Sequence, residues 1–269
     1  AAFGLRQSLD TAGAFAGPLL AFALMSASDN DFKFVFWIAV IPAFLALTTV
    51  FVGVKEPVRQ VPKQARTNPI TRANMRRLGG VFWWLVAIGG LLAFARVGDA
   101  FLVLRASEAR VPIAFIPLVL VAMNVLYSLT AYPFGKLADR VSASRLLALG
   151  IGLLILASLV LSLKDGQALS LWGLGLGLAI WGLHLAATQG LMAALIAKFA
   201  PVELRATAFG VFNLVSGLAL LLSGVATGWV WTAFGYSQAF LLAAAFAALT
   251  LVLLLVKRSL WNAPTSAAN

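Results

Sequence analysis

The chain has 269 residues, 62% of them hydrophobic and 11% charged, yet its formal net charge is +11 from 20 Lys and Arg against 9 Asp and Glu. Soluble domains are about 45–50% apolar and about 25% charged, so lipid must solvate most of this chain, and the basic excess lacks the polar domain that a nucleic-acid site needs. Cysteine is absent and histidine occurs once, at His184, which excludes disulfide frameworks, argues against zinc chemistry and leads us to expect no metal and no cofactor.

The first residue is Ala1, and the opening Ala-Ala-Phe-Gly-Leu-Arg-Gln-Ser has no signal-peptide pattern; a fragment of a longer protein is expected. A membrane helix needs about 20 mostly apolar residues. Eight stretches qualify, at approximately 7–26, 33–54, 80–103, 112–134, 145–163, 169–197, 206–231 and 236–257. The expected fold is therefore an all-α polytopic membrane protein with eight transmembrane helices.

The first span carries Asp10, a candidate for the substrate or proton pathway, four residues after Arg6, a spacing that also suits a self-neutralised structural pair on one helix, then small residues at Gly13, Gly17 and Ala21 with Pro18 among them. Ala2-Phe3-Gly4 before it matches Ala208-Phe209-Gly210 before the seventh span, and Gly13, Gly17 and Ala21 match Ala219, Ser223 and Thr227 at the same offset of 206. Parallel repeats of six-helix halves are a transporter architecture. The segment 55–78 holds Lys55, Arg59, Lys63, Arg66, Arg72, Arg76 and Arg77 with Pro57, Pro62 and Pro69. Prolines and like charges favour an extended tether, and 71–78 suits a short basic helix lying on anionic lipid.

Ionisable groups at membrane depth are costly and usually face a cavity or a partner. Arg96 and Asp99 on the third span are three apart, the spacing of a pair on one helix face: either a structural ion pair or a protonatable carboxylate tuned by burial and by the cation. On the fourth span Asn124, Tyr127, Ser128 and Ala131 form one stripe, facing either a cavity or a neighbouring helix. On the sixth, His184 shares a face with Trp181 and Thr188, either as a packed core residue or as a substrate or proton group; Gln189 falls on a different face. On the seventh, Asn213, Ser216, Gly217, Leu220, Ser223, Gly224 and Thr227 line one side, suiting close helix packing, with Asn213 polar enough to reach a ligand. Trp83, Trp84, Trp229 and Trp231 near span ends read as interfacial anchors.

Basic residues of short loops are retained on the cytoplasmic face. Fifteen lie on the side that contains Arg6, the 55–78 segment and Arg258, and four, Lys33, Arg105, Arg110 and Lys164, lie on the other. Both ends and the 55–78 segment are therefore expected in the cytoplasm of a cell, the protein being multi-pass in its membrane.

The connection between the fourth and fifth spans reads Gly135-Lys136-Leu137-Ala138-Asp139-Arg140-Val141-Ser142-Ala143-Ser144-Arg145. It resembles the Gly-x-Leu-Ala-Asp-Arg-x-Gly-Arg-Arg loop of the major facilitator superfamily, with Ser142, Ala143 and Ser144 where that family prefers Gly and a basic cluster. Gly13-x-x-x-Gly17-Pro18-x-x-Ala21 is similar to the family's antiporter motif. The resemblance covers essentially the whole chain as helices five to twelve of twelve. It implies residues 1–54 as the last two helices of an N-terminal bundle, 55–78 as a cytoplasmic linker, 79–258 as a complete six-helix bundle and 259–269 as a tail. Gly135 would give a sharp helix exit, and Asp139, with Arg140 and Arg145, would either hold a cytoplasmic gate by accepting hydrogen bonds from a neighbouring helix N-terminus or cap its own helix.

These readings converge on secondary active transport of a small solute by alternating access, as proton-coupled antiport or efflux. Facilitated diffusion and proton symport are the alternatives. The expected partners are a small-molecule substrate, protons, the bilayer and the upstream helices of the same protein, with no nucleic acid. A membrane-embedded enzyme lacks the clustered nucleophile and base it would need, and no filter-like segment suggests a channel.

Overall fold

The computed structural model describes residues 2–53, 71–163 and 167–257. Among these the chain is helical: α1 (Ala2–Ala27), α2 (Phe32–Gly53), a short α3 (Arg72–Arg77), α4 (Gly79–Ala95), α5 (Asp99–Glu108), α6 (Ile116–Arg140), α7 (Ala143–Ser162), α8 (Gln167–Phe199), α9 (Arg205–Phe234) and α10 (Tyr236–Val256). Seven spans among the described residues are long and apolar enough to cross a membrane, α4 and α5 together forming one of them. The first predicted span corresponds to α1, whose described apolar stretch is Ala16–Ala27. The linker 54–70 and the tail beyond 257 lie outside the described residues, as do the side chains of Arg6, Asp10 and Asp139.

In lipid, helices associate through close packing and hydrogen bonds, because apolar burial against a neighbour gains little over burial in acyl chains. The packing follows where side chains are small. α7 lies between α8 and α10, α4 between α9 and α10, and α6 between α8 and α1, whereas α8 touches α4 and α9 only sparsely. A Cβ on Gly150 of α7 would strike Thr188 Cγ2 and approach Ala187 Cβ at 3.2 Å, and one on Gly182 of α8 would come within 2.8 Å of the Met123 carbonyl on α6. Both glycines are therefore contact points between helix backbones. By contrast, a Cβ on Gly13, Gly17, Gly217 or Gly224 meets nothing within 4 Å. The close approach expected at these four glycines is not made among the described residues.

The third predicted span departs from expectation in its middle. α4 ends at Ala95, Arg96 is extended (φ −83°, ψ 102°), and α5 begins only after Gly98 (φ −64°, ψ 150°). Arg96 and Asp99 are thus on different helices rather than on one face. The break leaves Asp99 in the first turn of α5, where a carboxylate is favoured by the helix dipole. Irregular backbone at membrane depth is tolerated where protein covers it or where it lines a cavity.

The expected sharp exit at Gly135 is also absent. α6 continues through Arg140, and the turn is confined to Val141 and Ser142. Lys136, Leu137 and Ala138 are strong helix formers, and the basic Arg140 in the last turn suits the C-terminal dipole. Between α9 and α10, Gly235 at φ +89° makes the whole connection. That positive-φ conformation is open to glycine at little cost, and it starts α10 at Tyr236, directly against the C-terminal end of α7.

Candidate functional site

Where α8 stands away from the closely packed pair α4 and α9, the three helices border a cavity of about 250 Å³ lined by Gly89, Leu92, Ala93, Arg96, His184, Thr188, Gln189, Met192, Phe212, Asn213 and Ser216. The lining residues fall at 89–96 of the span 79–108, at 184–192 of 171–199 and at 212–216 of 202–234. The chamber therefore sits in the middle stretch of these three spans. Gly89 shapes it: a Cβ there would collide with the Phe212 ring and with Met192 Cε at 2.9 Å, so the missing side chain lets Phe212 fold over α4 and leaves space beyond.

Three of the sequence-predicted residues, Arg96, His184 and Asn213, meet in this chamber. Arg96 stands at the break, where the extended backbone directs it out of the α4 ladder. No hydrogen bond or ion pair of its guanidinium occurs among the described residues; Asp99 acts on it only through space. His184 is fully buried, and its Nδ1 lies 2.8 Å from the carbonyl oxygen of Gly150 on α7. A carbonyl accepts but cannot donate, so Nδ1 carries the proton, and in the neutral ring Nε2 is an acceptor. Among the described residues Nε2 has no hydrogen-bond partner. The Trp181 ring meets the imidazole edge-on at 6.3 Å between centroids and holds its plane from the other side.

The remaining predicted residues lie elsewhere. Asp99 is exposed at the start of α5 and does not line the chamber. Asn124 donates from Nδ2 to the Leu120 carbonyl at 2.9 Å within its own helix, and Tyr127 packs against the apolar core; neither lines the chamber. Asp10 and Asp139 lie on α1 and α6 with side chains outside the described residues, while Arg140 and Arg145 are exposed on either side of the α6–α7 turn.

Sequence reasoning underrated two contributors. Ser216, read as a packing residue, lines the chamber with its buried Oγ unpartnered; its position three after Asn213 was the available signal. Gln189, set aside for lying on another face, also lines it, because the cavity wraps around α8 rather than touching one stripe. Thr188 Oγ1 donates to the His184 carbonyl at 2.9 Å, leaving its lone pairs for a ligand. Among the described residues, the chamber offers one cation, one imidazole acceptor, one unpaired hydroxyl and two amide side chains between apolar walls, and no carboxylate.

Long apolar helices, a broken span and an internal chamber with polar lining residues describe a multi-pass membrane protein. The family model of the Major Facilitator Superfamily matches residues 100–268, more than half of the chain, and the chain belongs to that family. It is similar to an uncharacterized MFS-type transporter of Methanocaldococcus jannaschii, 25% identical over 235 residues that cover 85% of this chain and 57% of the relative. The chain thus spans somewhat more than half the length of this curated relative.

Proposed function

We propose that the protein carries a small solute across the membrane by alternating access, as a secondary active transporter that exchanges the solute for protons. The observation that carries this reading is the chamber itself: a partly polar, half-open space in the middle stretch of three spans, bordered by a discontinuous helix, the setting in which secondary transporters bind their cargo. Proton exchange rests on Asp99, which lies beside the break within reach of the Arg96 field, and on the antiporter-like glycines of α1.

Proton symport is the second reading, favoured by one observation: the titratable groups that line the chamber are Arg96 and His184, with no carboxylate among them. The two are separated in proteoliposomes holding the whole protein. Antiport predicts uptake driven by an acidic lumen, symport predicts uptake driven by an acidic exterior, and flux indifferent to either gradient would leave facilitated diffusion.

The 135–145 segment is proposed as a gate, with Asp139 held by the N-terminus of a neighbouring helix. Charge-assisted hydrogen bonds are worth about 1.5–3 kcal/mol, so Asp139→Asn is expected to slow transport about tenfold while leaving solute affinity in place. Undiminished flux in that variant would remove the gate. The open groove of Gly217, Leu220, Leu221, Gly224 and Val225 on α9 supports the proposal that further helices of the same polypeptide pack there and complete an N-terminal bundle of which residues 1–54 are part. The Lys and Arg distribution supports a cell-membrane orientation with the 55–78 linker and both ends of the chain in the cytoplasm.

A further inference from the structure

We infer that the chamber binds a small organic anion bearing a hydroxyl group, a hydroxy acid, with its carboxylate on Arg96 and its hydroxyl donating to Nε2 of His184. The inference rests on the transport reading for its purpose and on the chamber's chemistry for its content.

A guanidinium is donor-only, always charged, and shaped to meet a carboxylate through two parallel N–H bonds. Arg96 lines the chamber with no hydrogen bond or ion pair of its own among the described residues, and no acidic side chain shares the lining. A cation at this depth is costly unless something neutralises it; an anionic ligand does so, and a cationic one would add to the cost. The second requirement comes from His184. Its Nδ1–H is committed to the Gly150 carbonyl, which leaves Nε2 as a buried acceptor without a partner, and such a group rewards a ligand that brings a donor.

A carboxylate alone cannot supply that donor, so the ligand needs both functions. Ser216, its Oγ also buried and unpartnered, can donate to either oxygen. Size and walls restrict the skeleton. About 250 Å³ is below the usual span of about 300–1,000 Å³ for ligand pockets, and Leu92, Ala93, Met192 and Phe212 give it apolar surface that suits a short carbon chain better than an inorganic oxyanion.

The test measures ligand-induced thermal stabilisation of the whole protein in detergent, which rises with ligand concentration over Kd. The probes are lactate and 3-hydroxybutyrate, with propionate lacking the hydroxyl, 1,2-propanediol lacking the charge, ethanolamine reversing it and inorganic phosphate lacking the carbon chain. At least one hydroxy acid is expected to bind about tenfold or more tightly than propionate, with the diol, the amine and phosphate weaker still. Arg96→Gln should weaken the hydroxy acid about tenfold or more. His184→Asn keeps a donor for the Gly150 carbonyl but removes the Nε2 acceptor, and should bring the hydroxy acid down to the level of propionate.

Equal binding of propionate and hydroxy acids, preference for any of the other probes, no response to any hydroxy acid, or full affinity in Arg96→Gln would overturn the inference. Should Arg96→Gln not fold, Arg96→Lys takes its place, since it keeps the charge and loses the fork and should bind about tenfold more weakly. Proteoliposome flux of the same probes separates the two readings. Binding of a hydroxy acid without its passage keeps the site and removes transport, whereas passage of the amine or diol keeps transport and removes the assigned ligand.

Discussion

Gly150→Val is expected to destabilise the protein by about 2–3 kcal/mol, the upper part of the usual cost of overpacking, and to abolish ligand binding in the chamber. Gly150 is where α7 and α8 come closest: its missing side chain is occupied by Thr188 Cγ2 and, at 3.2 Å, by Ala187 Cβ. Thr188 cannot rotate away freely because its Oγ1 donates to the His184 carbonyl at 2.9 Å, and the Ala187 Cβ has no rotamer to change. The helices must therefore separate. Separation breaks the 2.8 Å bond between His184 Nδ1 and the Gly150 carbonyl, which fixes the imidazole's tautomer and aim. Gly152→Val on the same helix is the control: a Cβ there meets nothing within 4 Å, so a change within about 0.5 kcal/mol is expected, the better helix propensity of valine offsetting small losses. Gly150→Ala should fall between them. Thermal midpoints in detergent, read beside lactate stabilisation, check the series, and a Gly150→Val protein as stable as Gly152→Val would show that the contact is not made in the membrane protein.

The contrast between these glycines also explains what could be seen before the structure. Spans were legible because about 20 apolar residues have few alternatives to crossing a bilayer, and the seven spans found lie on the predicted stretches. The loop around Asp139 was legible as a motif, although its helical form was not, because Gly135 sits among residues that favour helix. Which glycines matter was hidden. Gly217 and Gly224 advertise themselves by regular spacing yet face open space, while Gly89, Gly150 and Gly182 are decisive through residues far away in sequence, such as Phe212, Thr188 and Met123. The same limit applies to the site. His184 was visible as a lone imidazole, but its tautomer depends on a carbonyl 34 residues away. Arg96 was visible as a buried charge, but the break that frees it from Asp99 carries no proline and only Gly98 as a local mark. Local pattern records the periodicity of a helix; it does not record which helix lies opposite.

Arg105 illustrates that limit most sharply, and Arg105→Met is expected to cost about 3 kcal/mol. By sequence it is one of four basic residues on the outer side, yet it is 1% exposed. Its Nε donates to the Leu161 carbonyl at 3.0 Å and its Nη2 to the Leu163 carbonyl at 3.4 Å. The last carbonyls of a helix lack intrahelical partners, and at the end of α7 they are otherwise met by Ser162 Oγ, which bonds the Leu159 carbonyl at 2.7 Å, and by the Leu163 N–H on the Val160 carbonyl. Arg105 adds the Leu161 carbonyl to those met and places its charge against the negative end of the α7 dipole. The Tyr236 ring lies beneath the guanidinium at 4.3 Å, and its hydroxyl donates to the same Leu163 carbonyl at 3.2 Å. Hydrogen bonds from a charged donor contribute about 1.5–3 kcal/mol and the stacked ring about 0.5–1 kcal/mol, which sets the expected cost. Arg105→Lys keeps the charge but loses the fork and the stacking, so an intermediate loss is expected, and Tyr236→Phe, which removes only the hydroxyl, should cost about 0.5–1.5 kcal/mol. Because both residues donate to the Leu163 carbonyl, each single variant leaves it one partner and only the double leaves it none, so the double variant should be more destabilised than the sum of the singles. Thermal midpoints of the four proteins decide the matter, and additivity, or an Arg105→Met protein within about 0.5 kcal/mol of the parent, would dissolve the cluster. The consequence reaches the chamber as well. Arg105 ties α5 to the end of α7, and α5 begins immediately after the break that carries Arg96, so loosening it should also weaken lactate binding, by less than Gly150→Val does because His184 keeps its anchor.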